Sequence, residues 1–156
     1  MSIHLTLERE AISSNHRIYG ANKRGSRFEY KKLREDLIQE IKQKLGRGNQ
    51  QNRVAFKITR HWGPRKRFFD EANLVGGFKI LIDAFVKTGH LKDDDPNHFK
   101  AYYFQKKSVT GFGYIEVEEL APYEELKAAL DKISEQMEVT PETLMRAGLE
   151  TNLIKG

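Results

Sequence analysis

The sequence predicts an α+β domain with a mixed β-sheet packed by helices. Short runs of period two alternate along the chain with longer runs of period 3.6. The length of 156 residues suits one compact domain, and 38% apolar against 31% charged residues is a globular balance.

Taken in order, Ile3, Leu5 and Leu7 alternate with polar residues and predict a strand. Ser13 to Arg27, rich in Ser, Asn, Gly and basic side chains, predicts a loop. Ser26 and Glu29 fit a capping box, in which each side chain satisfies an orphan backbone N–H. Tyr30, Leu33, Leu37, Ile38, Ile41 and Leu45 then predict a helix of about four turns, ended by Gly46 and Gly48. Val54, Phe56 and Ile58 predict a second strand, closed by the Gly63-Pro64 break. Leu74, Phe78, Leu81, Ile82 and Phe85 mark an amphipathic helix from about Asn73 to Lys87, stopping near Gly89. Asp93 to Pro96 form a turn. Strands around Ala101–Gln105 and Tyr114–Val117 are expected to pair as a hairpin through Gly111 and Gly113. Tyr123, Leu126, Leu130, Ile133 and Met137 describe a third helix, and Thr140-Pro141 opens a short fourth. Residues 121–156 read as a helical extension of one domain, 1–156.

Composition excludes several classes. No apolar run approaches the ~20 residues that span a bilayer, and the N-terminus lacks a signal-peptide apolar region, so a soluble, intracellular protein is expected. The absence of cysteine removes disulfides, thiolate catalysis and Cys-based zinc sites. The net charge of +5 divides into +10 over residues 1–70 and −5 over residues 71–156. A basic half suits a polyanionic partner through counterion release, and equally suits ordinary solvated faces.

Two acidic clusters flank the second predicted helix: Asp70-Glu71 before it and Asp93-Asp94-Asp95 after it. Carboxylates are the hard oxygen donors that Mg²⁺ takes. The same residues also suit a helix N-terminus and a solvated turn. A helix from Asn73 to Lys87 is about 20 Å long, so the clusters share one ion only if the chain folds back.

The segment RFFDEANLVGGFKILIDAFVKTGHLKDDDP resembles the core signature of the RusA-like Holliday-junction resolvases, common in phages and prophages. That signature has D-x-D-N-L, a Lys, Asp-Ala-Leu four residues on, and a Gly followed shortly by Asp-Asp. The matching residues are Asp70, Asn73-Leu74, Lys79, Asp83-Ala84-Phe85, Gly89 and Asp93-Asp94, with Asn15 in the early basic loop. The strong match covers roughly 28 residues, and the remainder agrees in element order alone. Ala72 stands where the family has its second Asp, and Val75-Gly76-Gly77 adds three residues before Lys79, a Gly pair that signals either close backbone approach or a helix start delayed past Gly77.

The resemblance implies a homodimeric, Mg²⁺-dependent endodeoxyribonuclease, with Mn²⁺ as substitute ion. Such an enzyme cuts four-way DNA junctions symmetrically in recombination and repair, in the cytoplasm of a bacterial host of a phage or prophage. By motif position Asp70, Lys79 and Asp94 are catalytic. Asp70 and Asp94, with Asp93 and Glu71 beside them, hold the metal. Lys79 would steady the developing phosphate charge. Glu71 or Asn73 would supply the oxygen that Ala72 lacks. If neither does, the chain is a weak or inactive enzyme that binds junctions or single strands. Asp83 is either a further ligand or an i,i+4 partner of Lys79.

Lys23, Arg24, Arg27, Arg60, Arg65, Lys66 and Arg67 are the expected DNA-backbone contacts. Trp62 and Phe69 either stack on unpaired bases or pack in the core. His61, His90 and His98 lack metal-ligand spacing and are expected on the surface or in loops. The acidic C-terminal helices of one chain also suit the basic face of another. No membrane and no small-molecule cofactor is expected.

Overall fold

Alternation in three strands builds one apolar sheet face. β1 (His4–Leu7) pairs antiparallel with β4 (Tyr114–Leu120), setting Leu5 opposite Val117 and Leu7 opposite Ile115, all buried. β2 (Val54–Trp62) contributes Val54, Phe56 and Ile58 to the same core, and β3 (Phe99–Lys107) pairs with it in parallel from Val54–Phe99 to Trp62–Lys107. The order across the sheet is β1-β4-β2-β3, a mixed four-stranded sheet. The computed structural model describes residues 2–20, 26–137, 142, 145 and 146, so the expected helix start at Thr140-Pro141 and the basic residues Lys23 and Arg24 lie outside it.

Helix α1 (Ser26–Leu45) buries Leu37, Ile38 and Ile41 and packs chiefly on helix α3 (Lys79–Thr88). The Ser26 hydroxyl donates to the Gly20 carbonyl (2.7 Å) at its start, and Gly46, at φ 72°, ends it. Phe56 sits at the centre of the core, with Phe85 at 5.3 Å and Phe99 at 5.7 Å.

The single helix expected over Asn73–Lys87 is two. Helix α2 (Glu71–Gly77) stops at Phe78, whose φ −88° and ψ 0° reset the chain direction before α3. The Gly pair explains the break. A Cβ on Gly77 would overlap the Ile12 carbonyl, and one on Gly76 would lie 2.6 Å from the Ser14 Cβ. The segment Ile12–Ser14 therefore packs directly on the α2 backbone, at Gly76 and Gly77.

The expected hairpin of the last two strands is also absent. β2 lies between β3 and β4, because both faces of its nine residues are largely buried and it takes a neighbour on each side. The connection from Ser108 to Gly113 arches over the end of β2, the Ser108 N–H donating to the Trp62 carbonyl (2.9 Å).

The chain divides into two compact units, Met1–Glu119 and Leu120–Gly156. The second contains α4 (Pro122–Met137), opened by Glu124 accepting from the Ala121 N–H (3.0 Å) and exposing Tyr123, Leu126, Ile133 and Met137.

Two glycines test the packing account. Gly77→Ala should cost about 1–3 kcal/mol of unfolding free energy in urea titration, because Ile12 must move. Gly46→Ala, with open space around its Cβ, should cost only the left-handed backbone term of about 1 kcal/mol.

Candidate functional site

The loop from Gly63 to Asp70 is held from beneath by Arg60, a side chain expected from the sequence at DNA. Arg60 is 0% exposed. Its Nη1 donates to the Arg67 carbonyl and to Gln105 Oε1, its cross-strand partner, both at 2.9 Å. The guanidinium lies 3.5 Å from the Phe69 ring centroid and 5.5 Å from that of Trp62. Gln105 in turn accepts from the Phe69 N–H (3.0 Å) and donates to its carbonyl (2.5 Å). Burial pushes the Arg60 guanidinium below its usual range, against an opposing pull from the Glu10 charge. Arg60 is thus an internal anchor, and Arg65, Lys66 and Arg67 are the exposed cations of this loop. Phe69 packs against the core, while its neighbour Phe68 is exposed and meets Trp62 edge to face.

Asp70 caps α2. Its Oδ1 accepts from the Asn73 N–H and its Oδ2 from Asn73 Nδ2, both at 2.8 Å. Asn73 then accepts from the Ser14 hydroxyl (2.6 Å), so the matched Asp-Asn pair fastens the early loop to α2. Asn15 is exposed on that loop, its N–H bonded to the Ser13 hydroxyl (3.2 Å). Glu71 and Ala72 are exposed in the first turn of α2.

The second acidic cluster forms elsewhere. Asp93 Oδ1 accepts from the Asp94 N–H (2.7 Å). A side-chain hydrogen bond with Asp93, helped by slight desolvation and by the charges of Asp93 and Asp83, holds the Asp94 carboxyl above its usual range. Asp83, one helical turn after the exposed Lys79, takes the Tyr30 hydroxyl as its partner. No Lys79–Asp83 ion pair exists among the described residues, so the i,i+4 pairing expected from the sequence is not formed.

Asp70 and Asp94 lie toward opposite ends of β3. Phe69 is clamped to Gln105, whereas the Asp95 carbonyl accepts from the Phe99 N–H (3.0 Å). The six-residue step from Phe99 to Gln105 spans about 20 Å of strand. Asp93 and Asp94, within electrostatic reach of Asp83, offer the oxygen donors a hard divalent cation takes, but among the described residues Asp83, Asp93 and Asp94 do not bring their ligand atoms within 4.8 Å of one another. Asp70 is not part of that group among the described contacts.

Tyr30 joins Asp83 to a basic cleft. The cleft, of about 240 Å³, is lined by Tyr19, Tyr30, Arg27, Lys31 and Arg34, the three cations falling on one face of α1. The Arg34 guanidinium lies 5.9 Å from the Tyr30 ring centroid. In the sequence Arg27 is legible as a cation, whereas Lys31, Arg34, Tyr19 and Tyr30 stand out only as helix or loop residues. The 27-31-34 spacing is the available signal. Of the histidines expected outside, His61 and His90 are buried, the latter paired with Thr88 (2.7 Å), and His98 pairs with Asp95 (2.8 Å).

Tyr19 bridges α2 and α3, its hydroxyl donating to the Gly77 carbonyl (2.7 Å) and accepting from the Ile80 N–H (3.3 Å). Burial pushes its pKa up to about 12, the Ile80 bond opposing and the Asp83 charge adding. Tyr30 is raised too, by burial first and then by its bond to Asp83. A phenol whose folded pKa exceeds its unfolded value of 10.0 stabilises fully below pH 10, and that stability is lost as pH climbs toward 12. Urea titrations should therefore show a fall in stability beginning near pH 10 that is shallower in Tyr19→Phe.

No protein-family model matches the chain, and no curated protein matches it in sequence.

Proposed function

We propose that this chain is a Mg²⁺-dependent endonuclease acting on branched DNA, with four-way junctions as substrate and a homodimer as the working form. The observation that carries the reading is the adjacency of opposite charges around Tyr30. Its hydroxyl bonds Asp83, whose charge reaches Asp94, and its ring lines the cleft of Arg27, Lys31 and Arg34. Phosphodiester hydrolysis needs both: cations to seat the backbone, and carboxylates to hold a metal beside it. The resemblance of Asp70–Asp94 to the RusA-like signature supports the nuclease class, with a carboxylate set that differs from the Asp70–Asp94 pair the resemblance implies.

Asp93 and Asp94, with Asp83 within electrostatic reach, would hold the ion. Bound Mg²⁺ would supply an activated water and neutralise charge on the scissile phosphate. Tyr30 fixes Asp83 through its hydrogen bond. Arg27, Lys31 and Arg34 would position phosphates, and the exposed Lys79, one helical turn from Asp83, would supply a compact ammonium to a developing oxyanion. Arg65, Lys66 and Arg67 lie on the separate loop held by Arg60, suited to another arm of the substrate.

A second reading, junction binding without efficient cutting, draws on Ala72 and on Asp70, whose two oxygens both bond Asn73. Incubation of a labelled synthetic four-way junction with Mg²⁺ separates the two. Symmetric nicks are expected, and Asp94→Asn should lower the nicking rate by about a hundredfold or more while leaving binding intact. Asp70→Asn keeps a good helix cap and should retain nicking within about tenfold. Binding with no Mg²⁺- or Mn²⁺-dependent product would overturn the enzyme reading. Lys31→Ala/Arg34→Ala should weaken junction binding and reduce the slope of log K against log salt by about 0.9 for each phosphate no longer neutralised.

A further inference from the structure

A different set of ligating side chains lies on the sheet face opposite Leu5, Leu7, Ile115 and Val117. His4 stands directly across from Glu118 in the β1–β4 ladder, and Glu116 lies two residues along β4 on the same face. One ligand atom from each of His4, Glu116 and Glu118 lies within 4.8 Å of the others. His4 Nε2 is 3.3 Å from Glu116 Oε2. Tetrahedral bonds of about 2.0–2.1 Å imply ligand–ligand edges of about 3.3 Å, so this pair already has the separation a bound ion requires.

The outer shell is built as well. His61 is 3% exposed, and its Nε2 lies 3.0 Å from Glu116 Oε1. Its ring is stacked on Tyr114 with centroids 4.0 Å apart and planes 9° off parallel. Glu116 is thereby gripped from behind through one oxygen while the other faces His4. A buried partner that fixes a ligating carboxylate is the usual second layer of a metal centre. Burial tends to raise the Glu116 carboxyl, but its bonds from His61 and His4 prevail and hold it below the usual range. Neither Glu116 nor Glu118 pairs with Lys or Arg among the described residues, so two neighbouring carboxylates face each other without a fixed cation.

We propose that His4, Glu116 and Glu118 form a site for a zinc-type divalent ion that ties the edge strand β1 to β4. One imidazole nitrogen with two carboxylates suits Zn²⁺ or Co²⁺, whereas Mg²⁺ takes oxygen donors. Three protein ligands leave a fourth position for water. The site shares no residue with the Asp83–Asp93–Asp94 group and stands independently of the nuclease reading.

Calorimetric titration of the full chain with ZnCl₂ tests it, with the Asp94→Asn variant titrated in parallel to exclude the crossover acids. One saturable ion is expected in both, unaffected by excess Mg²⁺, and Co²⁺ should give the intense visible absorption of a four-coordinate centre. His4→Ala and Glu118→Gln should each weaken the affinity by about tenfold or more. Zinc should raise the melting temperature of the unsubstituted chain and leave that of His4→Ala unmoved. His4 is exposed, and circular dichroism of the metal-free variant checks that it folds; His4→Gln replaces it if it does not. Absence of saturable zinc binding, affinity unchanged in both ligand variants, or loss of zinc only in Asp94→Asn would each overturn the proposal.

Discussion

The parallel pairing of β2 with β3 is the constraint on which the remaining architecture hangs. Two parallel neighbours cannot be joined by a tight turn, so the chain must return over the sheet before β3 begins. Residues 63–98 make that return, and α2, α3 and every carboxylate from Asp70 to Asp95 ride on it. The crossover also fixes where those carboxylates lie. One end leaves from Trp62 and the other arrives at Phe99, which are opposite ends of the paired strands. Asp70 inherits the first position and Asp94 the second. Asp83 comes within electrostatic reach of Asp94 because α3 delivers the chain back to the start of β3.

At the departing end, a charge occupies the place of an apolar side chain. An isolated buried guanidinium is costly, and Arg60 offsets that cost with two hydrogen bonds, an aromatic face at 3.5 Å and the field of Glu10. Among the described residues its Nε and Nη2 find no hydrogen-bond partner. Glu10 serves this end a second time, accepting from the Gly63 N–H (2.9 Å) and filling the space a Cβ on Gly63 or Gly113 would need. Polar side chains thus fix a loop whose own composition, Gly-Pro-Arg-Lys-Arg, gives it little means of packing itself.

Much of this is written in the periodicity. Leu5 and Leu7, the 33-37-41 face of α1, Phe56 with Ile58, and the Leu81–Phe85 stripe all pack where their spacing puts them. Strand neighbours are not legible, because Gly111 and Gly113 flank a turn equally well whether it joins adjacent strands or spans one between them. The α2–α3 break is signalled by Gly76-Gly77, but its cause, the Ile12–Ser14 backbone, is distant in sequence. For the candidate site, the acids are visible in the sequence and their grouping is not. Asp83 has the spacing of half a helical ion pair, and only the fold brings Tyr30 to it. Arg60 misleads for a simpler reason: its charge predicts solvent, and nothing local reveals that Gln105 will enclose it.

The bond between Gln105 and Phe69 also sets an order of events. Phe69 and Gln105 are far apart in sequence, and the first finds both its backbone partners only in the second. As the chain emerges N-terminus first, β2 and the basic loop exist long before the strand that clamps them. Until β3 docks, Arg60 has neither Gln105 nor a fixed Arg67 carbonyl, and its charge favours water over the nascent core. The Arg65–Arg67 loop therefore takes its final form only once β3 has docked, when sheet and loop close on each other together.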